Sequence, residues 1–243
     1  MNGARIPTAS FVPLYEELFV DYKNKVPAKL QKAGLSVFFV RAGEKYHAAE
    51  PKCLFVGKAV YGWNFSAAKF DRQRFFTGNE RIANREQMTF LQGEKNKIAA
   101  RSSFWGVIYG LCKELYGQQD DWYEYVAWSN LYKLSLYDGY NPPKWLQDWQ
   151  RPVCIKILQE EIKILRPTHV IFFTSGWEES LLAGLGLSQG QWRTEHWGSV
   201  PYQIHYWSDN GVKYIRSVHP QGKKEKEHVD KIAGLIKFGG KTL

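Results

Sequence analysis

The sequence predicts a three-layer α/β/α fold around a central, mostly parallel sheet of about four to five strands. Three observations point there. Short apolar runs of strand length recur at Cys53–Val56, at Tyr125–Ser129 and within Thr168–Ser175. Stretches with helical periodicity lie between them, and strands alternating with helices make a parallel sheet covered on both faces. Each run also gives way to a turn-favouring residue: Gly57, Asn130 or Gly176. A chain of 243 residues has the length of one such domain. Residues 1–243 are therefore read as a single domain, with an N-terminal helical segment over about 10–33.

The elements follow in order. Phe11, Leu14, Leu18 and Phe19 recur near 3.6-residue spacing and make the first segment an amphipathic helix. Cys53–Val56 is a buried strand meeting a glycine-containing turn. Residues 66–100 are polar and basic, with Lys69, Arg72, Arg74, Arg81, Arg85, Lys95 and Lys97, and read as helices or a long excursion over one face. Ser102 or Ser103 caps the helix that Gly117 closes. Tyr125–Ser129 is the second strand, and the stretch Tyr137–Pro143 disfavours helix. Cys154–Leu165 is an amphipathic helix stopped by Pro167, and Thr168–Ser175 is the strongest strand signal in the chain. Gly176 leads into a helix over Trp177–Gly186. Two strand-like runs then flank Asp209-Asn210-Gly211, which predicts a hairpin. A last helix, about 224–237, is basic on its polar face.

Composition narrows the function classes. Hydrophobic residues make up 44% and charged residues 23%, values of a chain that buries a core, which excludes disordered and collagen-like classes. No run approaches the roughly 18–20 apolar residues of a membrane span, so no membrane association is expected. The opening MNGARIPTASFVPLYEEL lacks a basic segment followed by an apolar run, so no signal peptide is expected. The three cysteines, Cys53, Cys112 and Cys154, stand far apart, which excludes a disulfide framework and a CxxC metal knuckle and makes a cytoplasmic home the default. The net charge is +9, aromatics reach 16%, and there are 10 Trp. Positive charge attracts polyanions and exposed rings stack on unpaired bases, so nucleic acid is the expected partner class. The bland alternative is that the Trp residues are core and the charge is solvated surface. No protein partner follows from the sequence.

In parallel sheets the ligand sits at the carboxyl ends of the strands. The segments there are Gly57–Asn64, Asn130–Lys133, Ser175–Trp177 and His219-Pro220-Gln221-Gly222. These segments, in this order and with these elements between them, resemble the uracil-DNA glycosylase superfamily over about residues 50–225. The shared features are a strand and Gly-x-Ala loop, a strand with Asn-x-x-Lys followed by Asn-Pro-Pro, the run from Cys154 to Ser175, and a last strand entering His-Pro. The nearest likeness is to the thermophile-type iron–sulfur branch and the mismatch-specific branch.

The resemblance implies a DNA glycosylase, which extrudes a nucleotide, reads its base and hydrolyses the N-glycosidic bond. Asn130 would read the base, since one carboxamide offers both a donor and an acceptor. A strand-terminal Asn bonded to its own backbone is the alternative. His219 would donate to the base oxygen on which negative charge develops; a structural histidine at a strand end is its alternative. Trp63 or Phe65 would stack on the base, Tyr61 stands where the family often blocks thymine, and Gly57, Lys58 and Ala59 would form the loop beneath. Core packing competes for each aromatic.

The departures concern the reaction itself. The family's first loop carries an acid, in G-E-A-P-G or G-Q-D-P-Y, where this chain has Lys58 and Ala59. A lysine ammonium repels an oxocarbenium-like sugar but suits a phosphate. Asn64 is the best substitute for positioning water, and Asp71 is further off. After the histidine, Gln221-Gly222-Lys223-Lys224 replaces an apolar wedge, which favours single-stranded or loosely paired DNA. Arg216 either points into the site or pairs with a carboxylate. The cysteines needed for an iron–sulfur cluster are missing, and neither a metal nor another cofactor is expected. Three readings stand: a divergent DNA glycosylase, a non-catalytic nucleic-acid or nucleobase-binding protein on the same fold, and a fold reused for another small-molecule reaction, with Ser175 and His219 as candidates for hydrolysis.

Overall fold

The computed structural model describes residue 6 and residues 9–25, 35–59, 102–117, 120–136 and 141–239. Tyr61, Trp63, Asn64, Phe65, Asp71 and the basic stretch 66–100 lie outside the described residues, as do residues 26–33 of the first segment. The elements in chain order are α1 (Val12–Lys25), β1 (Leu35–Val37), β2 (Arg41–Ala42), β3 (Cys53–Ala59), α2 (Ser103–Tyr116), β4 (Ala127–Tyr132), β5 (Leu134–Leu136), α3 (Lys144–Leu165), β6 (His169–Phe173), α4 (Glu179–Leu182), β7 (Arg193–Trp197), β8 (Tyr202–Asp209), β9 (Val212–Ser217) and α5 (Glu225–Phe238).

The α/β class and the sandwich of layers are as expected, but the sheet is larger. It has seven strands in the order β2-β4-β3-β6-β9-β8-β7, and β1 pairs with β5 in a separate two-stranded sheet. The inner strands β4, β3, β6 and β9 run parallel, while β2, β8 and β7 add antiparallel edges. Period-two alternation splits the sheet between two cores. Leu54, Val56, Ala127, Leu131, Val170 and Phe172 pack toward α1 and α3, against Leu18, Cys154, Ile157 and Leu158. Cys53, Phe55, Trp128, Ile171, Phe173 and Ile215 face α2 and α5, against Ile108, Leu111, Val229 and Ile232. Among the described residues no helix is long and apolar enough to cross a membrane.

Local chemistry explains the boundaries. Ser102 caps α2 by accepting from the Trp105 N–H at 3.5 Å. The β8–β9 hairpin turns on Asn210 and Gly211, both at positive φ (46° and 80°), the pairing a two-residue type I′ turn requires. Helix α3 starts ten residues before the expected Cys154 and runs through Pro152. Its buried stripe, Leu146, Gln150, Val153, Cys154, Ile157, Leu158, Glu161 and Leu165, is continuous at helical spacing. That burial outweighs the single backbone bond a proline removes. The helix expected over 177–186 shortens to Glu179–Leu182. Strand β4 runs past Asn130 to Tyr132, and β3 runs past Gly57 to Ala59, so both residues lie within strands.

One polar cluster fixes β4 against α3. Lys133 and Glu161 have no side-chain exposure, and their charged atoms are 2.8 Å apart. Lys133 Nζ also donates to Ser129 Oγ at 2.6 Å and to the Asn130 carbonyl at 2.7 Å, and Ser129 Oγ donates to Glu161 at 2.6 Å. Burial raises the Glu161 pKa, and Lys133 opposes that shift. Lys133→Met leaves a carboxyl buried without its cation and should lower unfolding stability by about 3–5 kcal/mol. Lys133→Met with Glu161→Leu removes both charges and should recover most of that loss. Denaturant midpoints of the two variants check this; a single variant no weaker than the double would contradict it.

Candidate functional site

The four parallel strands deliver their carboxyl ends to one edge. Gly57 on β3 and Asn130 on β4 are register partners, so they share a sheet face. A Cβ at position 57 would lie 2.6 Å from Asn130 Oδ1 and 3.5 Å from Phe104 Cε2. Only glycine therefore lets the Asn130 carboxamide lie over the β3 backbone. Asn130 is 7% exposed. Among the described residues, the hydrogen bonds at this position use its backbone carbonyl and leave its side-chain amide without a partner. A strand-terminal Asn bonded to its own backbone is not what forms here.

His219 follows β9. Its backbone N–H donates to Ser175 Oγ at 2.7 Å, and its ring Nδ1 accepts from the Gln221 N–H at 3.3 Å. A backbone N–H can only donate, so Nδ1 presents its lone pair and the proton sits on Nε2. Burial lowers the His219 pKa to about 4, and the charges of Lys58 and Lys223 push the same way. The imidazole is thus neutral near neutral pH and offers one N–H. Ser175 holds the histidine backbone from a left-handed conformation (φ 53°). Its hydroxyl does not bond the imidazole, as a serine–histidine nucleophile would require. Behind the loop, the buried His228 pairs through Nε2 with Ser217 Oγ at 2.8 Å and stacks on Trp197 with centroids 4.3 Å apart.

Phe104, half-buried in the first turn of α2, is the aromatic that joins these groups. Its ring stacks on His219 at 6.4 Å between centroids and 17° between planes. It also meets Phe173 edge-on at 5.9 Å. Sequence reading missed it because its place in an apolar helix reads as core. The usable signal was its position two residues after the Ser102 cap, where a helix following a long polar stretch begins at the strand ends.

The charged groups divide into two sets. Arg216 takes the carboxylate-paired one of its two readings: Nε donates to Glu178 at 2.8 Å, an Nη donates to Glu179 at 2.9 Å, and the guanidinium lies 5.0 Å over Trp192. Thr174 donates to the other Glu178 oxygen. Lys58 and Lys223 stay nearer His219. Lys58 Nζ stands 5.1 Å over the Trp177 ring, and Lys223 stands 5.0 Å over Tyr202 while donating to the Gln221 carbonyl at 3.1 Å. Burial lowers the Lys58 pKa; Glu178 opposes the shift and Lys223 adds to it. Lys224 instead pairs with Glu227 at 2.8 Å, and Gln221 contributes its backbone from an exposed position. Among the described residues no group of His, Cys, Asp and Glu is arranged to hold a metal ion. Cys154 lies in the core on the α3 face, while Cys53 and Cys112 lie in the α2–α5 core.

No protein-family model matches the chain, and no curated protein matches it.

The geometry therefore brings Gly57, Lys58, Asn130, Ser175 and His219 to one edge, adds Phe104, and sets Arg216 aside. Four of the described histidines have lowered pKa values, His169 and His219 at about 4, His228 at about 3, and His205 below its ordinary value, burial being the main cause in each. Unfolded histidines titrate near about 6.5, so the unfolded chain binds more protons between that pH and the folded values. Stability should be level above about pH 6.5 and fall progressively toward pH 4. In an NMR titration the His219 ring should stay neutral at pH 6; a midpoint near 6.5 would contradict the assigned environment.

Proposed function

We propose that this edge binds a nucleobase of DNA and that the chain hydrolyses the N-glycosidic bond of uracil or another damaged base, as a divergent DNA glycosylase. The observation that carries the reading is the Asn130 side chain, 7% exposed beside Gly57 and without a hydrogen bond to its amide among the described residues. Its carboxamide offers one donor and one acceptor side by side, so a base edge with the complementary pair can bond both at once. Next to it, the His219 Nε2–H is a neutral donor for a base oxygen that gains negative charge as the bond breaks. The positive field of Lys58 and Lys223 favours the same anion. Phe104 offers an aromatic face for the base to stack on. In the resemblance drawn from the sequence, Asn64 positions the attacking water; it lies outside the described residues. The net charge of +9 suits a polyanionic partner.

One observation favours a second reading, binding without cleavage. Glu178, the carboxylate whose charge reaches Lys58, is held by Arg216 and Thr174. It is not free to activate water or face a cationic sugar.

The test uses labelled single-stranded and duplex oligonucleotides carrying uracil, a U·G mismatch, hypoxanthine or xanthine, followed by alkali. Base-specific cleavage should fall by about 10²–10³-fold in His219→Ala, the usual effect of removing one such donor. Asn130→Ala should lose a comparable amount with its melting temperature unchanged. No cleavage alongside salt-sensitive DNA binding would replace the first reading with the second. Neither cleavage nor binding, or variants that behave as wild type, would overturn both.

A further inference from the structure

We propose that His228 is the positioning residue for His219: it sets the backbone from which His219 hangs and the ring against which His219 lies, and so the direction of the Nε2–H that meets the base. The inference rests on the base-removal reading of this site. His228 stands one turn into α5 and has no exposure. One route from it runs through the backbone. Its Nε2 pairs with Ser217 Oγ at 2.8 Å, at the end of β9. The Ser217 carbonyl accepts from the N–H groups of Thr174 and Ser175 at 3.3 and 3.2 Å, and Ser175 Oγ accepts from the His219 N–H at 2.7 Å. The other route runs through rings. His228 meets Phe173 edge-on at 5.4 Å, Phe173 meets Phe104 edge-on at 5.9 Å, and Phe104 stacks on His219 at 6.4 Å. Both routes start at one imidazole and end at the other.

Each link has a physical reason to hold. Ser175 sits at φ 53°, a left-handed conformation that a serine keeps only where its surroundings fix it. The Ser217 carbonyl, shared with Thr174, helps to fix it. His228 Nδ1 is buried without a partner, so the ring carries its proton on Nε2, where Ser217 Oγ accepts it. Trp197, 6% exposed, stacks on the same imidazole at 4.3 Å and 17° and limits its rotation. Burial lowers the His228 pKa to about 3, and the charges of His219 and Lys223 push the same way, so the link stays neutral wherever His219 does. Phe173 and Ser217 are register partners on the sheet face that carries Gly57 and Asn130. A disturbance at His228 therefore reaches His219 from the side of the base site. A group misplaced by about 1 Å can cost about 10²-fold in rate.

The test uses the full chain carrying His228→Phe, which keeps a ring but removes the bond, or Ser217→Ala, which removes the same bond by a smaller change. His228→Gln, whose amide can still donate to Ser217, is the conservative replacement. The first readout needs no DNA: the ring nitrogen signals of His219 in NMR. In the wild type they should report one tautomer, with the proton on Nε2. In His228→Phe and Ser217→Ala they should move toward the average of two tautomers, and His228→Gln should keep the single one. The second readout is a double-mutant cycle in the excision assay. His228→Phe should lose about 10–10²-fold, and nothing further in a His219→Ala background, because its effect passes through His219. If His228→Phe does not fold, Ser217→Ala decides by the same signals. Unchanged His219 signals in the folded variants would overturn the proposal, as would an equal loss of excision with and without His219. Coupled His219 signals in a wild type that excises no base would support His228 as the positioning residue and overturn the base-removal reading alone.

Discussion

The ion pair of Lys133 with Glu161 is enclosed between β4 and α3, and the candidate site depends on it. Two charges taken fully out of water are tolerable only when they meet each other and their remaining hydrogen-bonding capacity is filled. Here Ser129 and the Asn130 carbonyl satisfy the lysine and one Glu161 oxygen, while the other oxygen, Oε1, meets the lysine charge at 2.8 Å. The lysine thereby holds the peptide that carries Asn130, from the side of the sheet opposite to Phe104. A hydrophobic pair would pack that space at lower electrostatic cost. The charged cluster adds a fixed position for one backbone carbonyl, and with it the direction of an amide that nothing else described holds.

From that anchor the edge assembles in register. Asn130 lies opposite Gly57, Val56 opposite Phe172, and Phe173 opposite Ser217, so β4, β3, β6 and β9 end within a residue or two of one another. The β6 loop then turns through Ser175 and Gly176, both at positive φ, and captures the His219 backbone. The electrostatics follow the same economy. Arg216 neutralises Glu178, the buried acid described at the loop, and leaves Lys58 and Lys223 to set a positive field around a neutral imidazole. Such a field disfavours a protonated histidine and favours an anionic leaving group.

Much of this was legible in the residues. The apolar runs at Cys53–Val56 and Thr168–Ser175 fell on strands because both faces of those strands are buried, and Asp209-Asn210-Gly211 fell on a turn because two residues there need positive φ. The strand ends followed from alternation alone, which is why Gly57, Asn130 and His219 could be named together. The edges were less legible. Strand β7, Arg193–Trp197, is mostly exposed, so its sequence lacks the apolar signal of the inner strands. Strands β1 and β2 are only three and two residues long. The early start of α3 was hidden by Pro152, whose local penalty is overcome by a tertiary stripe that no local rule weighs. Phe104 was hidden for the opposite reason: an aromatic in an apolar helix reads as core whether it faces the core or a site.

The central claim is that the Asn130 carboxamide, which bonds none of the described residues, meets a base. Its most direct test is the NMR signal of that side-chain NH2 group, assigned through Asn130→Ala, during titration with a single-stranded uracil-containing oligonucleotide and with one carrying a stable abasic analogue at the same position. The Asn130 amide and the His219 ring should shift with the base-bearing strand and not with the abasic one, while backbone signals near Lys223 respond to both. Shifts of equal size with and without the base would mean that this edge grips only phosphate, and would contradict the reading of Asn130 as the group that recognises the base.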